Sequence, residues 1–229
     1  MEKTAVELIQ QSKKLVFMTG AGVSVPSGIP DYRSMTGVYH GVENPEYLLS
    51  HSCLVKEPEK FYDFVKQLYH PKAKPNIIHL KMAELAQEKD VTVISQNIDG
   101  LHQQAGSPKV INFHGNLYDC YCQKCGESVT AEEFMESSLH KNCGGQIRPN
   151  VVLYEESLPQ DVIEASILAI EQADTIVVVG TSLKVYPFSG LIQYRQPNSQ
   201  LIIINKDTIT YGGDYLMVQT PAENFFSQI

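Results

Sequence analysis

The chain has 229 residues, 43% hydrophobic and 19% charged, with a formal net charge of −8 at pH 7. That is an ordinary globular composition, long enough for one large domain with an insert. The acidic balance argues against sequence-independent nucleic-acid binding, which needs Lys and Arg on phosphates, and no apolar run reaches the ~20 residues of a membrane helix. Met1-Glu2-Lys3 leads straight into an amphipathic stretch with no leader pattern, so a cytoplasmic location is expected.

Residues 4–14 read as a short helix lying over Leu15-Val16-Phe17-Met18-Thr19, an apolar run typical of a buried strand. The strand feeds Gly20-Ala21-Gly22-Val23-Ser24-Val25-Pro26-Ser27-Gly28-Ile29-Pro30-Asp31-Tyr32-Arg33. A strand entering a glycine-rich turn suits a diphosphate, because small residues let backbone N–H groups approach its oxygens. The spacing is not G-x-G-x-x-G, and on the glycines alone a tight corner without a ligand is the favoured reading. Residues 34–41 mix glycine and aromatics without period, a pattern common in functional loops.

Residues 58–69 read as a helix with Phe61, Phe64, Val65 and Leu68 on one face, ended by Pro71-Lys72-Ala73-Lys74-Pro75. Asn76 can cap the next helix, along which Ile78, Met82 and Leu85 recur. Val91-Thr92-Val93-Ile94-Ser95 is a second strand and Val110-Ile111-Asn112-Phe113 a shorter one. Residues 119–147, rich in Cys, Gly and charge, read as an inserted module, after which Val151-Val152-Leu153-Tyr154 resumes the strand pattern. A helix is predicted over 160–172, with Ile163, Ile167 and Ile170 on its buried stripe. Thr175-Ile176-Val177-Val178-Val179 runs into Gly180-Thr181-Ser182, and Leu201-Ile202-Ile203-Ile204 ends at Asn205. Apolar strands alternating with helices predict an α/β fold: a Rossmann-like parallel sheet covered by helices on both faces, binding ligands beyond the carboxyl ends of its strands.

The chemically suggestive residues follow strands. Gln96-Asn97-Ile98-Asp99 places three polar side chains where they could hold a ribose and a carboxamide, or equally satisfy a local turn. His114 follows the short strand and can serve as a general base near neutral pH, although six other histidines are present. Four of the five cysteines lie between residues 120 and 143, which argues for metal rather than disulfides. Cys122-x-x-Cys125 and His140-x-x-Cys143, 14 residues apart, approximate a zinc-knuckle pattern with all four positions filled by protein. Cys120 is an alternative fourth ligand; His140 is preferred because it restores the two-knuckle symmetry. Cys53 is assigned to packing.

Taken in order, these motifs resemble the sirtuins. The resemblance is carried by Gly20-Ala21-Gly22-Val23-Ser24 through Asp31-Tyr32-Arg33, Gln96-Asn97-Ile98-Asp99-Gly100-Leu101-His102, His114-Gly115 and the zinc pairs, then Arg148-Pro149-Asn150-Val151-Val152, Gly180-Thr181-Ser182-Leu183 and Ile204-Asn205. It covers nearly the whole chain and implies a compact bacterial NAD-dependent protein lysine deacylase with one structural zinc ion. By that resemblance, residues 1–34, 76–118 and 148–229 form the Rossmann-like NAD-binding domain. Residues 35–75 form a cofactor-binding loop and helical module, and 119–147 the zinc module; the two together make a smaller domain.

Gly20, Ala21 and Gly22 would line the diphosphate, and Tyr32 and Arg33 the nicotinamide side. Gln96 would hold the ribose, Asn97 its vicinity and the attacking water, and Ile98 and Asp99 the carboxamide. Gly180, Thr181, Ser182 and Asn205 would hold the adenosine half. His114 would activate a ribose hydroxyl, giving free lysine, nicotinamide and 2′-O-acyl-ADP-ribose. An acyl-lysine protein or peptide would lie extended beside Val151, Val152, Leu153, Tyr154 and Glu155, and a monomer is expected.

Departures from the family pattern are Ser95 for Thr, Tyr32 for Phe, Leu153-Tyr154-Glu155-Glu156 where Phe-Gly-Glu is usual, and His140 for Cys. No Tyr-x-x-Arg pair lies in the 61–69 helix, which favours a neutral acyl group over a dicarboxylic one. Mono-ADP-ribosyl transfer and a non-catalytic NAD-sensing module are the competing functions, with a metal-dependent hydrolase a remote third.

Overall fold

The computed structural model describes residues 1–31 and 44–229. Its strands in chain order are β1 (Lys14–Thr19), β2 (Asp90–Ser95), β3 (Val110–Asn112), β4 (Gly115–Cys122), β5 (Ser128–Val129), β6 (Ile147–Val151), β7 (Thr175–Val179), β8 (Gln200–Asn205) and β9 (Leu216–Gln219). The helices are α1 (Glu2–Gln11), α2 (Pro45–Leu48), α3 (His51–Lys56), α4 (Pro58–Gln67), α5 (Ile77–Glu88), α6 (Leu101–Gln104), α7 (Ala131–Glu136), α8 (Gln160–Gln172) and α9 (Ala222–Phe226).

Among the described residues, one sheet is wholly parallel, in the order β3-β2-β1-β7-β8-β9. This is the doubly wound Rossmann order, with its switch point between β1 and β7. The strands are apolar on both faces because both are covered. Phe17, Val93, Val177 and Ile202 point toward Ala5 and Ile9 of α1, Ile78 and Met82 of α5, and Phe225 and Phe226 of α9. Their sequence neighbours Met18, Ile94, Val178 and Ile203 point the other way, onto Ile170 of α8 and the 3₁₀ stretch carrying Phe188 and Leu191. The two-residue strand period thus builds two cores from one sheet, each fully buried large apolar side chain contributing about 1.5–3 kcal/mol.

A third core joins Phe61, Phe64 and Val65 of α4 to Leu117 of β4, Phe134 of α7, Ile147 of β6 and Leu153. The helical segment after residue 44 and the cysteine-rich segment therefore share one interior, the smaller body expected from the sequence.

Several element limits differ from expectation. The first helix ends at Gln11, because Lys14 already pairs with Asp90 as the first residue of β1. The strand expected over 151–154 is instead β6, which starts at Ile147, ends at Val151 and pairs antiparallel with β4. On α8, Ser166 is fully buried while Ile163 is only half-buried. The Ser166 hydroxyl donates to the Val162 carbonyl at 2.7 Å, so a polar residue sits in the stripe at little cost. Strand β4 carries no clean alternation because a bulge between Asn116 and Cys120 shifts its register.

The turn after β6 is held by Arg148, only 6% exposed. It donates to the Glu156 carboxylate at 2.7 and 3.0 Å and to the Val151 carbonyl at 2.7 Å. Burial pushes the Glu156 carboxyl up, but Arg148, the Leu153 N–H and His51 outweigh it and bring it down to about 2. A carboxyl lowered on folding stabilises above its unfolded value of 4.5, and that stability drains as pH falls toward 2. Glu156→Gln should therefore cost about 3 kcal/mol at pH 7, because it leaves a buried guanidinium without its counter-charge. It should also flatten the loss of stability between pH 5 and pH 3 relative to wild type, within the window those values define. Urea titrations at pH 7, 5 and 3 check both; an unchanged midpoint at neutral pH would refute the assignment.

Candidate active site and metal centre

At the switch point the turns leaving β1 and β7 meet backbone to backbone. Gly20 N–H donates to the Val179 carbonyl at 3.2 Å and Gly22 N–H to the Gly180 carbonyl at 2.8 Å. A Cβ on Gly22 would lie 2.7 Å from the Gly180 Cα, and one on Gly180, whose φ is +60°, would lie 2.7 Å from the Val23 nitrogen. Glycine is required on both sides of this contact. The chain then makes two short 3₁₀ turns, Ala21–Val23 and Val25–Ser27.

The polar residues after β2 close the crevice. Asn97 donates its side-chain amide to the Gly20 carbonyl at 3.1 Å and to Ser24 Oγ at 3.0 Å. Ser24 in turn donates to Asp99 at 2.6 Å, and the other Asp99 oxygen accepts the Leu101 N–H at 2.9 Å. Burial raises the Asp99 carboxyl above its usual range against the pull of these donors. The Gln96 side-chain oxygen accepts from Thr181 Oγ at 2.9 Å, tying the ends of β2 and β7 together. Its Nε2 is buried without a hydrogen-bond partner among the described residues.

His114 sets its Nδ1 3.2 Å from the Gln96 carbonyl and its ring edge-on to Phe113. A carbonyl only accepts, so Nδ1 carries the proton and Nε2 is the basic nitrogen. Gly20, Gly22, Gln96, Asn97, Asp99, Gly180, Thr181 and His114 are thus linked in one crevice at the carboxyl ends of the strands. Ile98 bridges to the smaller body, its carbonyl accepting from Leu117 N–H at 2.9 Å. Asn205 lies at the same sheet edge, but its amide donates to the Asp207 carbonyl at 3.1 Å, and Ser182 is exposed. Tyr32 and Arg33 lie outside the described residues.

Two participants were missed as site residues. Ser24 lies inside the glycine stretch, and only the fold shows it joining Asn97 to Asp99. Asn76, read as a helix cap, also donates to the Val23 carbonyl and to Ser27 Oγ, both at 2.8 Å, and so grips the far end of the glycine turn.

Along residues 151–155, Val152 N–H donates to the His114 carbonyl, while Tyr154 N–H and carbonyl are bound by Leu49 and His51. Glu155 takes φ +73°, a conformation that favours glycine, where the resemblance places a glycine. Its carboxylate accepts the Ser52 N–H at 2.9 Å and so caps the first turn of α3, which offsets that strain.

Cys122, Cys125, His140 and Cys143 bring their ligand atoms within 4.8 Å of one another. Cys143 Sγ lies 3.4 Å from Cys122 Sγ and 3.6 Å from Cys125 Sγ, and His140 Nδ1 is 3.4 Å from both Cys125 and Cys143. A tetrahedron of zinc–sulfur bonds of about 2.3 Å has edges of about 3.8 Å, so the set fits a structural zinc ion. His140 Nε2 faces Glu127 at 3.6 Å, the outer carboxylate that commonly orients a metal-bound imidazole. Cys120 is not part of the cluster; its thiol meets the Tyr69 hydroxyl at 3.4 Å and the Leu117 carbonyl.

The unpaired Gln96 Nε2 beside the glycine turn fits a ligand oxygen, and the Cys122, Cys125, His140 and Cys143 cluster fits a metal ion. Together with the strand order these define a dinucleotide-binding protein of the Rossmann type that carries a closed metal knuckle. The chain belongs to the Sir2 family, whose model matches residues 20–187. It is 57% identical over 224 residues to an NAD-dependent protein deacetylase of Listeria monocytogenes, covering 97% of this chain and 98% of that protein. It is 52% identical over 225 residues to one of Enterococcus faecalis, covering 98% and 95%. Among solved structures, a Sir2 complex with deacetylated p53 peptide and 3′-O-acetyl-ADP-ribose superposes with a TM-score of 0.88 at 35% identity, covering 99% of this chain and 96% of that one. A Sir2–p53 peptide–NAD+ complex gives 0.85 at 34% identity, covering 100% and 96%.

Elemental analysis should find about one zinc per chain, as a closed four-ligand site requires. His140→Ala should lose that zinc and lower thermal stability, whereas Cys120→Ser should retain it. Full zinc content in the His140 variant would put the fourth ligand elsewhere.

Proposed function

We propose that this protein is an NAD-dependent protein lysine deacetylase, moving an acyl group from lysine to ADP-ribose with release of nicotinamide. The 57% identity to a protein of that name, over 97% of the chain, carries this reading. NAD, when bound, supplies both the leaving nicotinamide and the sugar hydroxyls that receive the acyl group.

The chain's own residues hold and orient. The small residues of the Gly20–Gly22 turn line the diphosphate, and Thr181, Ser182 and Asn205 take the adenosine half. Gln96, fixed through Thr181, gives its Nε2 to the nicotinamide-side ribose. Asp99, Ile98, Tyr32 and Arg33 serve the carboxamide end. Asn97 spends its amide on Gly20 and Ser24, so its main work is to fix the turn rather than to move protons. His114 Nε2 takes a proton from the ribose hydroxyl, its ring held in the required tautomer by the Gln96 carbonyl.

The acyl-lysine peptide lies beside residues 151–155, where the Val152 carbonyl and the Glu155 N–H have no main-chain partner among the described residues. Related complexes support this class of partner, since Sir2Tm was solved with a propionylated peptide at 35% identity and a TM-score of 0.86. The same reading divides the chain into a Rossmann-like unit (1–34, 76–118 and 148–229), a loop and helical module (35–75) and a zinc module (119–147). It also makes the protein a cytoplasmic monomer without affinity for nucleic acid; among the described residues, no helix is long and apolar enough to cross a membrane.

Incubation with NAD and an acetyl-lysine peptide should give O-acetyl-ADP-ribose by mass spectrometry, and His114→Ala should lower the rate by about 10²–10⁴. ADP-ribosylated protein without the acetylated sugar would point to mono-ADP-ribosyl transfer instead, and NAD binding without nicotinamide release to a sensor. A succinylated peptide should be the poorer substrate.

A further inference from the structure

His79 and His102 are fully buried polar residues, 0% and 2% exposed, that the chemistry above does not use. Their rings adjoin, with centroids 4.7 Å apart and planes tilted by 59°. Each has one nitrogen bound: His79 Nδ1 accepts the Asn76 N–H at 3.3 Å, and His102 Nε2 meets Thr19 Oγ at 3.0 Å. The others, His79 Nε2 and His102 Nδ1, are buried without a partner among the described residues. Thr19, itself 0% exposed, is the residue before Gly20. Asn76, at the other end, holds Val23 and Ser27. The imidazole pair therefore lies between the two ends of the glycine turn.

We infer that His79 and His102 are positioning residues: a packed, buried imidazole pair that fixes the glycine turn and so sets affinity for the dinucleotide rather than the rate of acyl transfer. The protons follow from the partners. The Asn76 N–H can only donate, so the His79 ring carries its proton on Nε2. His102 Nδ1 is buried without a partner among the described residues, so its proton sits on Nε2, where it donates to Thr19 Oγ. The opposite His102 tautomer would add a second buried donor with no acceptor, at the cost of another unmade bond. Burial keeps both rings uncharged, lowering His79 to about 4 and, with His79 adding to the effect, His102 well below its ordinary value.

The functional half rests on the deacetylase reading; the tautomers do not, and the two are tested apart. Long-range proton–nitrogen correlation spectra of the wild-type chain near pH 6.5 should show both rings neutral and protonated on Nε2. The other tautomer on His102, or protonation of either ring near an ordinary imidazole pKa of about 6.5, overturns the pair. In kinetics, His102→Leu should raise KM for NAD about tenfold while changing kcat less than about threefold, the signature of lost uniform binding. His102→Gln, which keeps an N–H for Thr19, should recover most of that loss. Should the leucine variant fail to fold, Thr19→Val removes the same acceptor from a β-branched strand position and should give the same split. An unchanged KM, or a fall in kcat at constant KM, overturns the positioning role. A wild-type chain that releases no nicotinamide overturns the deacetylase reading instead, and the spectra then decide the pair.

Discussion

The site depends on one close contact, the approach of the turn after β1 to the turn after β7 at the point where the strand order reverses. Gly22 and Gly180 lie so near that neither tolerates a Cβ. From that contact the rest follows. Gln96 can reach Thr181 because β1, next to β2 on one side, is hydrogen-bonded to β7 on the other. His114 can lean on the Gln96 carbonyl because β3 pairs in parallel with β2 and ends at the same sheet edge.

The polar groups around the contact are of two kinds. Asn97, Ser24 and Asp99 satisfy one another and the backbone, so they make a rigid floor, as a fully connected buried network does. Gln96 Nε2 is buried and unpaired among the described residues. A buried donor left unsatisfied costs about 1–3 kcal/mol, a cost that a ligand oxygen removes on binding. Rigid support beneath and an unmet donor above is the arrangement of a preorganised binding site.

The smaller body obeys a different constraint. Its interior is built from α4, β4, β6 and α7, and the cysteine segment itself offers few large apolar side chains beyond Phe134. A tetrahedral ion held by Cys122, Cys125, His140 and Cys143 can supply the order that so little apolar surface cannot. The Arg148–Glu156 pair then fixes the connection between this body and the main sheet, next to Val152 and His114.

The sequence by itself determined the class of fold, because apolar strands alternating with amphipathic helices leave a covered parallel sheet as the economical solution. It also located the metal-binding pairs, since two x₂ pairs already place their donors on one side of an ion, and it located the residues that follow strands. It did not separate His140 from Cys120 except by symmetry, and it set a strand over 151–154 where β6 runs from Ile147 to Val151. Those matters turn on partners distant in the chain: β6 is a strand only because β4 lies beside it, and Cys120 is occupied by Tyr69. Ser24, Asn76, His79 and His102 have the same local signatures as ordinary caps and turn residues. Only tertiary structure joins them to the glycine turn, because a hydrogen bond between residues 75 or 83 positions apart leaves no periodicity for a sequence to show.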